Sequence, residues 1–142
     1  MKNLIPTEKI IERLRYENPW WVTKEIPKAY GSLSKRLYFD IFYPYVIERT
    51  VKRALVLMGP RRVGKTVMLF HCIDALLKKG VDPHKVFFVG VDNPIYINLE
   101  LEDILTLYKE SLTHKDLDGA FVFFDEIQYL KDWERYLKIL VD

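Results

Sequence analysis

Residues 54–68 read ALVLMGPRRVGKTVM. The run ALVLM (54–58) is apolar throughout, as a strand buried on both faces requires. The next residues, Gly59 to Thr66, spell G-x-x-x-x-G-K-T. Gly59 and Gly64 permit backbone angles and close approaches that a side chain would block. Successive backbone N–H groups can then turn inward around an anion, and the helix starting near Lys65 adds its positive end. The loop Gly59, Pro60, Arg61, Arg62, Val63, Gly64, Lys65 and Thr66 is therefore expected to cradle the phosphates of a nucleotide. Lys65 should reach the β- and γ-phosphates, and the Thr66 hydroxyl should coordinate Mg2+. An ordinary strand-to-helix turn could hold the same residues, but the strand before and the helix after favour the phosphate loop. Arg61 and Arg62 suit either phosphate contact or solvent, since the loop backbone already supplies most donors.

Downstream, Val67, Met68, Leu69, Cys72, Ile73, Leu76 and Leu77 recur at helical spacing over 65–79, with Gly80 as the stop. KVFFVGVD (85–92) reads as a second buried strand and LELEDILTLYKESL (99–112) as an amphipathic helix. AFVFF (120–124), introduced by Gly119, reads as a third strand. DWERYLKILV (132–141) reads as a last helix with Asp132 as its N-cap. Strands alternating with helices imply an α/β fold, a parallel sheet covered by helices.

Upstream, TEKIIERLRYE (7–17) places Ile10, Ile11 and Leu14 on one helical face, with Thr7 as its cap and NPWW as its stop. Residues 19–48 are aromatic and punctuated by proline. They read as an arm packed on the main domain, which divides the chain into a helix and aromatic arm (1–52) and a core (53–142). Trp20 and Trp21 could form a docking patch for a partner; packing within the chain is favoured, because the arm has no core of its own. Tyr38–Tyr45 offers aromatic faces where adenine could rest.

The chain has 142 residues and a formal charge of +2, which suits one ordinary domain and not a general nucleic-acid binder. Residues 1–53 carry +5 and residues 54–142 carry −3. A basic front end is either a solvated surface or a contact for an acidic protein or nucleic acid. Cys72 has no second cysteine to pair with and reads as a small core residue in a reducing cytosol. Charges interrupt the N-terminal apolar residues too often for a signal peptide, and no apolar run is long enough to span a bilayer. A cytoplasmic protein without a membrane partner is expected. His71, His84 and His114 match no metal spacing. Asp92 suits a turn before Asn93 and Pro94 more than a supporting role at the site.

FVFFDE (121–126) is four apolar residues followed by two carboxylates. Ligands gather at the carboxyl edge of such sheets, so Asp125 should lie beside the phosphate loop and hold Mg2+ through water. Glu126 can orient and polarise an attacking water. Without the loop upstream, the pair would read equally well as a turn cap.

The segments LMGPRRVGKT, FVFFDEIQYL and DWERYLKIL, with NPWW ahead of them, resemble the prokaryotic AAA-type ATPases that carry a Walker A loop and a D-E-I-Q Walker B segment. The resemblance implies that Gly59–Thr66 bind ATP, that Asp125 assists Mg2+ and that Glu126 and Lys65 are catalytic. It implies a P-loop three-layer sandwich with strand order 5-1-4-3-2. Against that pattern the chain offers only three strands and ends before the fourth, so the core is expected to be incomplete. The sensor residue, the arginine finger and the C-terminal lid would be missing, and oligomers are possible. Hydrolysis driving a conformational change is the favoured function. The alternatives are nucleotide binding without turnover, or a nucleic-acid or protein docking module with a regulatory nucleotide site.

Overall fold

A computed structural model of the protein describes residues 5–33, 39–48, 64–112 and 117–141. The strand expected at 54–58 lies outside these residues, as do Gly59, Pro60, Arg61, Arg62, Val63 and Tyr38. The spacing between that strand and the one at 120–124 therefore lies outside them too.

In chain order the elements are α1 (Thr7–Glu17), α2 (Trp20–Thr23), α3 (Lys28–Gly31), α4 (Phe39–Ile47), α5 (Lys65–Lys79), β1 (Val86–Gly90), α6 (Leu101–Ser111), β2 (Phe121–Asp125) and α7 (Trp133–Val141). Short 3-10 turns at Pro83–Lys85, Pro94–Tyr96 and Ile127–Tyr129 lie between them. The fold is α/β, as the alternation predicts. α5 spans the residues read from periodicity, and Gly80 closes it with φ 101°, its N–H bonding Leu76 and Leu77. β1 and β2 pair in parallel, Val86 opposite Phe121 and Gly90 opposite Asp125.

Both strands differ by a residue or two from their expected bounds. β1 stops at Gly90 because the chain turns there, Asn93 N–H bonding Gly90 C=O. β2 starts one residue late because Ala120 N–H bonds Leu117 C=O in the preceding turn, and it runs on to include Asp125.

Neighbouring residues of a strand face opposite sides of its sheet. The Phe87 ring stacks on Tyr108 of α6 at 4.3 Å, and the Phe88 ring meets Phe70 of α5 at 4.7 Å. α5 and α6 therefore cover opposite faces of β1, which buries Val86, Phe87, Phe88 and Val89 almost completely. This is why KVFFVG reads as a continuous apolar run rather than an alternating one.

The N-terminal region departs from one expectation and adds detail to two others. Thr7 does not cap α1. Pro6 takes that position in extended backbone (ψ 142°), and its carbonyl accepts from Lys9 and Ile10. NPWW is more than a stop: Asn18 ends α1, and Pro19 then leads into α2, since proline lacks only an N–H that a first turn leaves unused. The aromatic arm is helical through α2, α3 and α4, with Pro44 inside α4.

The segment from Glu17 to Trp21 also does the work of an extra strand along the outer edge of β1. Asn18 Nδ2 donates to Phe88 C=O at 2.9 Å, and Phe88 N–H donates to Asn18 Oδ1 at 2.7 Å. Trp20 Nε1 and Trp21 Nε1 both donate to Val86 C=O, each at 2.9 Å. One carbonyl has two lone pairs, so it can serve both rings. Gly90 N–H donates to Glu17 Oε1 at 2.8 Å. The two tryptophans straddle the edge: Trp20 meets Phe70 on the α5 face, and Trp21 stacks on Phe87 and Tyr108 on the α6 face. Both are buried, which matches packing within the chain. Side chains thus satisfy edge groups that would otherwise invite pairing with another strand.

Asn18→Leu should cost about 2–6 kcal/mol, because the Phe88 N–H and C=O lose their partner at about 1–3 kcal/mol each, and Leu14 C=O loses a donor as well. The urea midpoint should fall with an unchanged slope. A midpoint equal to that of the wild type would show that this edge needs no side-chain partner.

Candidate functional site

The site forms where α5 begins and β2 ends. Gly64 precedes α5 with φ 80° and ψ 20°, a left-handed conformation that glycine adopts without strain. Its carbonyl accepts the first helical bond, from Met68 N–H at 3.1 Å. Lys65 and Thr66 occupy the first turn of α5 and point toward the carboxyl end of β2. There the ladder holds Asp125 opposite Gly90, and Val91 N–H bonds Asp125 C=O at 3.1 Å. Glu126 leaves the strand in left-handed backbone, φ 60° and ψ 42°, which is uncommon for a residue with a side chain and is found at functional sites.

These residues meet. Lys65 Nζ lies 2.5 Å from Glu126 Oε1 and 3.1 Å from Asp125 Oδ1. Thr66 Oγ1 donates to Asp125 Oδ2 at 2.6 Å. Gln128 Nε2 donates to Glu126 Oε2 at 2.7 Å. Lys65, Asp125 and Glu126 are exposed by only 5%, 9% and 8%, so their charges act on one another with little screening from water. Burial pushes the Lys65 pKa down, but hydrogen bonds and charge from Glu126 and Asp125 outweigh it and hold the pKa above the ordinary lysine value. The ammonium therefore stays charged at neutral pH.

Among the described residues, one ammonium between two carboxylates leaves an excess negative charge, which favours a further cation. Mg2+ is commonly bound through one or two carboxylates plus substrate phosphates rather than by a full protein cage. A hydroxyl and a carboxylate in contact, Thr66 and Asp125, fit that requirement. Among the described residues no group of three or more His, Cys, Asp and Glu side chains forms a metal cage.

Other residues marked in the sequence lie elsewhere. Cys72 is fully buried in α5. His71 Nε2 pairs with Tyr30 C=O at 2.9 Å and His84 Nε2 with Trp21 C=O at 3.0 Å, so these histidines fasten the N-terminal region to the core. Asp92 lies in the turn after β1, as expected, and Asn93 continues it, its Oδ1 accepting from Ile95 N–H at 3.0 Å. Asp92 lines a cleft with Tyr96, Asn98, Tyr129 and Lys131. α4, which holds most of the aromatic segment suggested for adenine, packs on α5, with the Phe39 ring stacked on Tyr43. No described helix is long and apolar enough to cross a membrane.

Sequence reasoning missed Glu17 and Gln128. Gln128 was visible within D-E-I-Q, but nothing in the linear pattern shows its amide folding back onto Glu126. Glu17 is a buried carboxylate at the end of β1, bonded by Gly90 N–H, the Tyr96 hydroxyl and Arg13. A side chain at Gly90 would crowd it, since an added Cβ would stand 3.3 Å from Glu17 Oε1.

Burial raises the Glu17 pKa above its ordinary 4.5, against bonds from Tyr96, Gly90 and Arg13 that favour the charged form. A carboxyl with a raised folded pKa stabilises the fold while protonated. That contribution is complete below the ordinary value and is lost as pH rises through the folded value. Stability should therefore decline on this account just above pH 4.5, and Glu17→Gln should flatten that stretch of the profile. Urea midpoints of both proteins in small pH steps check it; equal slopes would contradict it.

Comparison with known proteins adds the following. The profile of a family described as AAA domain matches residues 51–142. The uncharacterized protein MJ1637 of Methanocaldococcus jannaschii is 30% identical over 124 residues, which cover 84% of this chain and 26% of that protein. The uncharacterized protein MJ1544 of the same organism is 31% identical over 87 residues, 61% of this chain and 18% of that protein. The chain thus spans about a quarter or less of the curated relatives it matches. No solved structure matches it significantly.

Proposed function

Because this chain belongs to the AAA domain family of nucleotide-binding, ATPase-like domains, we propose that it binds ATP with Mg2+ and hydrolyses it to drive a conformational change. The observation that carries this reading is the meeting of Lys65 with Asp125 and Glu126, three buried charged groups from segments about sixty residues apart in sequence. A turn cap needs no lysine, and a structural ion pair needs no second carboxylate.

In this reading Gly59, Pro60, Arg61, Arg62, Val63 and Gly64 wrap the phosphates, and their backbone N–H groups, proline's excepted, supply the donors. Lys65 exchanges its carboxylate partners for phosphate oxygens. Thr66 and, through water, Asp125 would hold Mg2+, whose charge would offset that of the phosphates. Glu126, released from Lys65, orients the attacking water. Phosphoryl transfer to water depends on positioning and charge stabilisation more than on covalent help, and this cluster supplies both. A P-loop sandwich in which the strand at 54–58 lies beyond β2, with a fourth strand between them, would carry the loop to this edge. The output of hydrolysis, any protein or nucleic-acid partner and a cytoplasmic setting belong to the same proposal.

A phosphate-release assay with ATP, in Mg2+ and in EDTA, tests it. Release that requires Mg2+ is the expected result. ATP binding with no release would favour the reading of a nucleotide-binding protein without turnover. Neither binding nor release would remove the proposal.

A further inference from the structure

We propose that Gln128 is a positioning residue that fixes the Glu126 carboxylate through the exchange of Lys65 from carboxylate to phosphate; this rests on the ATPase reading above. Two side chains from different segments donate to the two oxygens of Glu126. Lys65 Nζ takes Oε1 at 2.5 Å, and Gln128 Nε2 takes Oε2 at 2.7 Å. When phosphate draws Lys65 away, Oε1 loses the ammonium and can accept a hydrogen bond from water. Oε2 stays tied to Gln128, so the carboxylate does not swing with the departing lysine.

The backbone is built for this contact. Glu126 sits in left-handed conformation at the head of the Ile127–Tyr129 turn, whose N–H of Tyr129 bonds Glu126 C=O at 3.1 Å. Ile127 and Leu130 are buried at 6% and 3% and pin the turn from both sides. Gln128, between them, is exposed. Its side chain has little packing to provide, and its amide points back along the turn to the site. A carboxylate only accepts, so the nitrogen of the amide must be the atom that faces it.

The test compares the wild type with Gln128→Leu, which keeps the reach and removes the donor. ATP affinity is read by calorimetry, turnover by phosphate release and stability by thermal melting. A general base left free to rotate loses alignment with its water, so kcat should fall by about tenfold or more. The dissociation constant should stay within about twofold, because Gln128 touches no phosphate in this scheme. Melting should not move. A readout independent of activity is the pair of Gln128 side-chain amide proton resonances, which should shift on Glu126→Ala in the absence of nucleotide.

An unchanged kcat in Gln128→Leu overturns the proposal. So does a joint loss of affinity, turnover and melting temperature, which marks a merely structural role. Amide resonances unmoved by Glu126→Ala overturn it as well, since the pair would then not exist in solution. A wild type that releases no phosphate overturns the ATPase reading and the positioning role with it, and that outcome is distinct because it is seen before any variant is made.

Discussion

Lys65→Ala should abolish ATP binding and also destabilise the fold. Removing the ammonium takes from Asp125 and Glu126, each at least nine-tenths buried, the cation that both contact. Breaking a buried ion pair by deleting one partner costs about 3–5 kcal/mol, most of it from the stranded charge. Each carboxylate keeps one neutral donor, Asp125 from Thr66 and Glu126 from Gln128, and each loses the ammonium. The two effects separate in the double variant. Lys65→Ala with Glu126→Gln removes one stranded charge and should recover part of the lost stability. Binding should stay lost, because the ammonium assigned to the β- and γ-phosphates is gone. Chemical denaturation and calorimetry on the two proteins give both quantities. A Lys65→Ala protein that keeps wild-type affinity for ATP would place the nucleotide elsewhere.

Glu126→Gln should leave binding intact and reduce hydrolysis by about 10²–10⁴-fold, the usual contribution of a positioned general base. The amide keeps an oxygen that can accept from Lys65, so the free site should hold its geometry. It loses the negative charge that polarises water. ATP should bind at least as well as to the wild type, since Lys65 no longer has to leave a full carboxylate. Single-turnover phosphate release beside an equilibrium titration reads both. Loss of binding together with hydrolysis would mean that Glu126 shapes the pocket rather than acting on water.

Much of the scaffold around this site is legible in the sequence. The apolar spacing of Met68, Leu69, Cys72, Ile73 and Leu76 sets α5, and Gly80 ends it. The continuous apolar runs VFFV and FVFF mark strands covered on both sides. The G-K-T and D-E segments mark the two ends that meet, because ligand chemistry needs those residue types next to each other in space. What the sequence did not show depends on distant partners. Asn18 reads as a turn former, yet its amide replaces a strand along β1, a role that exists only once Phe88 is beside it. NPWW reads as punctuation and an aromatic arm, yet the two indole N–H groups converge on Val86. Glu17 has nothing in its local pattern to predict burial, since only the approach of Gly90 and Tyr96 gives it partners. Thr7 had the right chemistry for a cap, but the preceding proline already held the extended backbone that the position requires.

The most direct test of the shared pocket is a calorimetric titration of the wild-type chain with ATP, run in Mg2+ and in EDTA. The account predicts saturable binding at one site per chain, markedly weaker when the metal is chelated. A flat isotherm with millimolar ATP and Mg2+ would contradict it.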